Sequence, residues 1–320
     1  MNELVANTGT QLRRRGERKK TLALTAMLIP GLIVLFFNSY LPMAGIVMAF
    51  QKIDYSKFAF AGKWVGLRNL KLFFGSTYTP VIIRNTLLYN FAFIVLGKFF
   101  SMAFAVALNE LRGTLAKKLY QGVMFLPYFI SWVAVSYIAL SFLHTDYGLI
   151  NRVVMPLLGL EAKNWYQSPN VWPFIIIFLN LWKGVGYGTI MFLASIAGVD
   201  GSLYEAARID GANRWQQITH ITLPMLYPML IITTLLSIGS IFNTDIGLFY
   251  SVPMRAQNGL LADVTTTLDT YVYVTFSSGG STSTINLSSA AAFLQSIIGF
   301  VLVLVSNLIV KKINPEYVLF

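Results

Sequence analysis

The sequence predicts an all-α polytopic membrane protein with six transmembrane helices, and three observations carry that reading. Of 320 residues, 56% are hydrophobic and only 12% charged, whereas soluble chains carry about a quarter charged residues. The apolar residues fall in long unbroken runs rather than the polar–apolar alternation of a transmembrane β-strand. Basic residues gather at the ends of those runs, so the net charge of +11 marks membrane boundaries rather than a nucleic-acid surface. The same numbers exclude a disordered chain and an ordinary cytosolic enzyme. With no cysteine, and only His144 and His220 as histidines, neither a disulfide framework nor a thiolate or histidine metal site is expected.

A helix needs about 20 apolar residues to cross a hydrocarbon core of about 30 Å. Leu22–Phe50 is charge-free and follows the cluster Arg13, Arg14, Arg15, Arg18, Lys19 and Lys20. It is too long for a signal peptide and lacks a small-x-small cleavage site, so it reads as an uncleaved first span. The next spans are Pro80–Asn109, interrupted by Lys98; Leu119–Leu143; Trp172–Val199, interrupted by Lys183; Leu223–Thr244; and Ser288–Val310. Six spans place both termini on one side. With the N-terminus inside, thirteen basic residues fall on inner segments and nine on outer ones, the sign expected for cytoplasmic termini. The organisation is therefore a basic cytoplasmic N-terminus at 1–20, a six-helix transmembrane domain at 21–312 and a cytoplasmic tail at 313–320. The Ser-, Thr- and Gly-rich outer segment Ile246–Leu287 reads as an exposed, flexible loop.

The inner segment 200–222 reads as helix, sharp turn, helix. Ser202 and Glu205 have the spacing of a capping box. Ala206 and Ala207 favour helix while adding almost no side chain, and Gly211 suits a left-handed helix stop. The pattern Glu205-Ala206-Ala207, Gly211, Ile221 and Leu223-Pro224 resembles the EAA loop of ABC importer permeases at every fixed position. The surrounding LYEAARIDGANRWQQITHITLPML is similar to the carbohydrate importers of the maltose type. The segments LPYFISW (126–132), YGLIN (147–151), WKGVGYGTI (182–190) and ADVTTTLDTYVY (262–273) resemble an LplB-like, polysaccharide-type branch. The resemblance implies a type I ABC importer permease fold in a bacterial inner membrane, with a cytoplasmic coupling helix. Glu205, Ala206, Ala207, Arg208, Asp210 and Gly211 then hold the ATPase-coupling positions. It further implies a second permease subunit, a cytoplasmic ATP-binding subunit dimer, an extracellular solute-binding protein and an oligosaccharide substrate. Nucleic acid is not among the implied partners.

The sequence has no GxxxxGK[ST] phosphate loop, so the reading assigns no cofactor to this chain and leaves ATP and Mg to the partner. Ionisable residues inside a span are functional candidates, because a charge at mid-bilayer costs about 2.5–3.5 kcal/mol on insertion scales. Lys183 stands in a Gly-rich stretch (Gly184, Gly186, Gly188) where an irregular helix lining a cavity is expected. Its alternative is a structural pair with a carboxylate or carbonyls, and Lys98 could snorkel or face a neighbouring helix. Aromatic faces are platforms for sugar rings, which makes Trp132, Tyr137, Trp182 and Tyr187, together with Asn243, candidate path residues beside Lys183. Packing, lipid contact or an interfacial belt explains each of those aromatics equally well. Val185-Gly186-Tyr187-Gly188 superficially resembles a potassium filter, but Gly184 replaces the threonine and a lysine precedes it; close helix packing explains the small residues better. The alternative class is a stand-alone secondary transporter or channel. It requires inverted repeats or acidic groups within spans, and the sequence shows neither. The six outer basic residues between Lys52 and Arg84 are compatible with an acidic polysaccharide fragment, and lipid or binding-protein contacts explain them equally well.

Overall fold

The computed structural model describes residues 24–52, 62–111, 113–277 and 282–315; the basic cluster at 13–20 and most of the C-terminal tail lie outside them. In chain order the helices are α1 (Leu24–Phe50), α2 (Arg68–Phe74), α3 (Thr79–Glu110), α4 (Thr114–Phe129), α5 (Trp132–Leu143), α6 (Trp172–Ala197), α7 (Gly201–Ile209), α8 (Arg214–Gly239), α9 (Leu268–Ser277) and α10 (Thr282–Ile313). The only sheet among the described residues is a two-stranded antiparallel pair, Gln51–Lys52 with Lys63–Trp64. Asn69 holds that pair to the end of α1 by donating to the Ala49 and Gln51 carbonyls.

Among the described residues, five helices (α1, α3, α6, α8 and α10) are long and apolar enough to cross a membrane. The expected third span, Leu119–Leu143, is not one helix: α4 and α5 meet at a 99° bend. Pro127 has no N–H to donate and disfavours helix before it. Ile130 turns extended, and the Ser131 side chain accepts from Ala134 N to start a new helix. The fifth span also differs from expectation. It begins at Arg214, passes through a π turn at Ile218–Thr222 and ends at Gly239, which leaves Asn243 beyond the helix.

The longest helix–helix contact is between α3 and α6. Three apolar clusters hold the bundle. One joins Tyr89 of α3, Val135 and Ala139 of α5, and Trp172 and Ile176 of α6 to Leu248, Phe249, Val252 and Leu261. A second gathers Ala105 of α3, Phe192, Leu193 and Ile196 of α6, and Leu226 of α8 near the α7 end. The third packs Phe73, Ile82, Phe242 and Leu268 against Ala291 of α10. The segment expected to be a flexible loop is therefore largely core. Within Ile246–Leu287 the chain forms a π turn at Gly247–Ser251, a helical turn at Ala262–Thr265 and α9. Thr265, Thr267 and Thr270 are buried in a hydroxyl–backbone network. Hydroxyls satisfied this way bury cheaply, so Thr-rich composition does not mark a solvated loop here. Residues 278–281 lie outside the described segments.

Helix α6 is continuous through Gly184, Gly186 and Gly188, contrary to the irregular stretch expected there. The glycines serve packing. A Cβ on Gly186 would sit 1.9 Å from the Met124 carbonyl oxygen, and one on Gly188 would sit 2.3 Å from Ser101 Oγ. The backbone of α4 and the Ser101 side chain of α3 thus approach α6 where it has no side chains. Gly186→Ala should force α4 from α6 and destabilise the fold by about 1–3 kcal/mol. Gly184→Ala, whose Cβ meets nothing within 4 Å, should not. Melting temperatures of the two variants in detergent separate these outcomes.

Candidate functional site: a polar cavity beneath a broken helix

The bend between α4 and α5 places a helix end against α6. The carbonyls of a helix's last turn have no partners within the helix and carry its negative dipole end. Lys183 Nζ, from the unbroken α6, donates to the Tyr128 carbonyl oxygen at 2.6 Å. The same ammonium lies 5.4 Å from the ring centroids of both Tyr128 and Trp132, within cation–π range. A carbonyl and two ring faces thus replace much of the hydration that a cation in a span forfeits. Trp132 donates its indole N–H to Asp245 Oδ2, while Gly247 N donates to Asp245 Oδ1 at 2.8 Å. The missing side chain at Gly247 leaves room for the Trp132 ring. Tyr128 stacks on Tyr187 with ring centroids 4.9 Å apart and planes at 13°. Lys183, Tyr128, Trp132 and Asp245 therefore form one connected group joining α4, α5, α6 and the turn after α8.

Next to this group is a cavity of about 490 Å³, within the range of small-molecule sites. Asn90, Lys98 and Ser101 line it from α3, Asn180 and Tyr187 from α6, and Thr233 and Ser237 from α8; Asn243 and Asp245 close one end. A shallower lobe of about 430 Å³ holds Trp132 and Lys183 and shares Asn180, Gly184 and Asp245 with the first. Polar side chains from three membrane helices converge here.

Four of the six path residues expected from the sequence, Trp132, Lys183, Tyr187 and Asn243, lie on this cavity and its side lobe. Tyr137 and Trp182 do not. Tyr137 is 61% exposed on α5, and Trp182 is exposed on α6 away from both lobes. The structure adds Tyr128, Asn180 and Lys98. The Pro127 and Ser131 punctuation could have exposed Tyr128 as a helix-end residue, whereas Asn180 stands one helical turn from Lys183 and shares its face. Asn243 Oδ1 accepts from Gln295 Nε2 at 2.6 Å, and the same amide donates to Asp269 Oδ1 at 2.9 Å. Asp269 also takes the Thr244 backbone N–H and hydroxyl, pinning the turn after α8 to α9 and α10.

At the other end of the bundle, α7 starts on Asp200, whose carboxylate accepts from Ser202 N at 2.9 Å. The capping box expected at Ser202 and Glu205 is instead a simple Asp200 cap, and the reciprocal box forms at Asn213 and Gln216. Asp200 can accept two residues on because it precedes the first helical turn. That backbone hydrogen bond holds the Asp200 carboxyl below its ordinary pKa. The cap is thus fully present above the ordinary carboxylate range and is lost as pH falls through the lowered value. Gly211 has φ +79°, and Ala212 N reaches back to the Ala207 carbonyl, so the left-handed stop forms as a glycine permits. Glu205, Ala206, Arg208, Asp210 and Gly211 are exposed and Ala207 half-buried. Two apolar side chains unremarked in the sequence, Ile209 (86% exposed) and Trp215 (71%), stand on the same surface. The segment is tied to the bundle by Tyr204 with Thr222 (3.0 Å) and Arg214 with Glu110 (3.1 Å).

Residues 97–318 match the family of binding-protein-dependent transport system inner membrane components. The chain belongs to that family. The permease is 34% identical to the protein LplB of Bacillus subtilis over 98% of this chain and 95% of that protein. It is 35% identical to a polygalacturonan/rhamnogalacturonan transport system permease of the same organism over 91% and 88%. Its fold matches a bacterial ABC transporter involved in importing the acidic polysaccharide alginate, with TM-score 0.83 and 27% identity over 94% and 99% of the two chains. The resemblance carried by the EAA loop thus holds, and the permease is the membrane-spanning subunit of an ATP-driven, binding-protein-dependent importer. Asp269→Ala should release the turn that carries Asn243 and Asp245, at a cost of about 2–3 kcal/mol for a charge-assisted hydrogen-bond set. Asp269→Asn should retain part of that stability, as read from detergent melting curves.

Proposed function

We propose that the permease forms half of a translocation path for an oligosaccharide released from a polysaccharide, and that a second permease subunit supplies the facing wall. The observation that carries this reading is the polar, aromatic-edged cavity in the middle of an otherwise apolar bundle. Amides and hydroxyls suit sugar hydroxyls, and rings such as Tyr187 suit the C–H faces of pyranoses. The polysaccharides named for two of those relatives support the same class. An extracellular solute-binding protein delivers the substrate, and both termini face the cytoplasm, as the basic-residue distribution favours.

Energy enters through the 200–222 loop. Ile209 and Trp215, exposed beside Glu205 and Gly211, are the kind of anchors a protein partner buries, and that partner is a cytoplasmic ATPase dimer that itself binds ATP and Mg. No cofactor is assigned to this chain, which acts in transport rather than in catalysis. Movement of α7 is passed to α8 through the Tyr204–Thr222 contact and to α3 through the Arg214–Glu110 pair, and those two helices line the cavity. ATP binding and hydrolysis thereby alternate access to it. Glu205→Lys or Gly211→Asp should leave the subunit inserted while lowering uptake at least tenfold and uncoupling ATP hydrolysis from the loaded binding protein. Wild-type uptake by either variant at normal expression contradicts the assignment.

A further inference from the structure

The cavity carries an unbalanced charge. Its lining and that of its side lobe hold Lys98, Lys183 and Asp245. Asp245 already accepts from Trp132 and Gly247, and Lys183 is held by the Tyr128 carbonyl. Lys98 Nζ has no hydrogen-bond or ion-pair partner among the described residues. It cannot reach water by stretching toward the end of its helix. Lys98 stands twelve residues before Glu110, the end of α3, about 18 Å at 1.5 Å per residue, far beyond a lysine stem. The Asn180 amide, on the same cavity, is likewise without a partner among the described residues. An ammonium and an amide on one cavity thus both keep unused N–H donors, and intramembrane charges of this kind are kept for function.

We propose that Lys98 is the carboxylate-recognising residue of the path and that the permease selects acidic, uronate-containing oligosaccharides, an inference that rests on the oligosaccharide reading above. The sugar carboxylate takes the place of the missing counter-charge on Lys98, Asn180 donates to it or to a neighbouring hydroxyl, and Tyr187 faces the ring. A neutral sugar would leave the cation uncompensated in a low-dielectric site. Discrimination then comes from an interaction that the neutral analogue cannot make.

The test uses the assembled transporter with its second permease, ATPase and binding protein in proteoliposomes, and compares trigalacturonate with its carboxyl-reduced trisaccharide. Binding of the same two probes to the permease–ATPase complex without binding protein, followed by tryptophan fluorescence, separates selection in the path from selection at delivery. The wild type should bind and import the charged sugar at least tenfold better. Lys98→Gln should lose that preference about tenfold while melting no lower than wild type, because it removes an uncompensated charge. Lys98→Arg should keep the preference. Unchanged preference in Lys98→Gln overturns the proposal. So does loss of the second permease from the purified Lys98→Gln complex, which would place the lysine's partner across the subunit interface. Wild-type transporter that takes both sugars equally overturns the Lys98 assignment alone, whereas failure of any oligosaccharide to enter with ATP overturns the reading on which it rests.

Discussion

The contact between the Lys183 ammonium and the Tyr128 carbonyl is the constraint on which the centre of this permease depends. A broken helix inside a bilayer leaves backbone groups without water or helical partners, and a lysine inside a bilayer leaves a cation without a counter-charge. Each is costly alone, and together they offset one another. The pairing also sets the position of Trp132 one residue into α5, whose indole fixes Asp245 and through it the turn after α8. The ammonium thus joins α6 to both sides of the α4–α5 break, and Trp132 extends the group to the turn after α8.

That convergence requires close backbones, and the glycines of α6 supply them. With no Cβ at Gly186, the Met124 carbonyl of α4 lies against the helix. With none at Gly188, Ser101 of α3 does the same. Beside these contacts, Asn180, Gly184 and Gly188 line the cavity. Tight contact and an opening thus lie next to each other along one glycine-rich stretch of helix.

The cavity and the α7 end are linked by unbroken helices. Arg214 begins α8 and pairs with Glu110 at the end of α3, so a push on the exposed α7–Gly211 corner acts on two of the three helices that line the cavity. That corner is tied down by the half-buried Tyr204–Thr222 contact and the more exposed Arg214–Glu110 pair, whereas the three apolar clusters hold the bundle itself. The turn pinned by Asp269 and Gln295 belongs to the rigid part and holds Asn243 and Asp245 at the cavity's end.

Composition and hydropathy determined the membrane class, because excluding charge from about 20 consecutive residues leaves a mark that no tertiary contact can alter. The EAA spacing marked the α7–Gly211 corner for a local reason as well: Gly211's left-handed turn and the small Ala206 and Ala207 depend on neighbouring backbone alone. Tertiary structure decided what depends on distance. Residues 126–132 read as an apolar span until Pro127 and Ser131 acted together and Lys183, 55 residues on, arrived to satisfy the freed carbonyl. The glycines of α6 read as irregular backbone, yet helices packed at van der Waals distance keep them regular. The Thr-rich 262–270 segment read as exposed because hydropathy cannot see that its hydroxyls find backbone or neighbouring hydroxyl partners. Lys98 was legible only as an awkward charge; only the assembled bundle shows that it faces a cavity and that Asp245 is already engaged elsewhere.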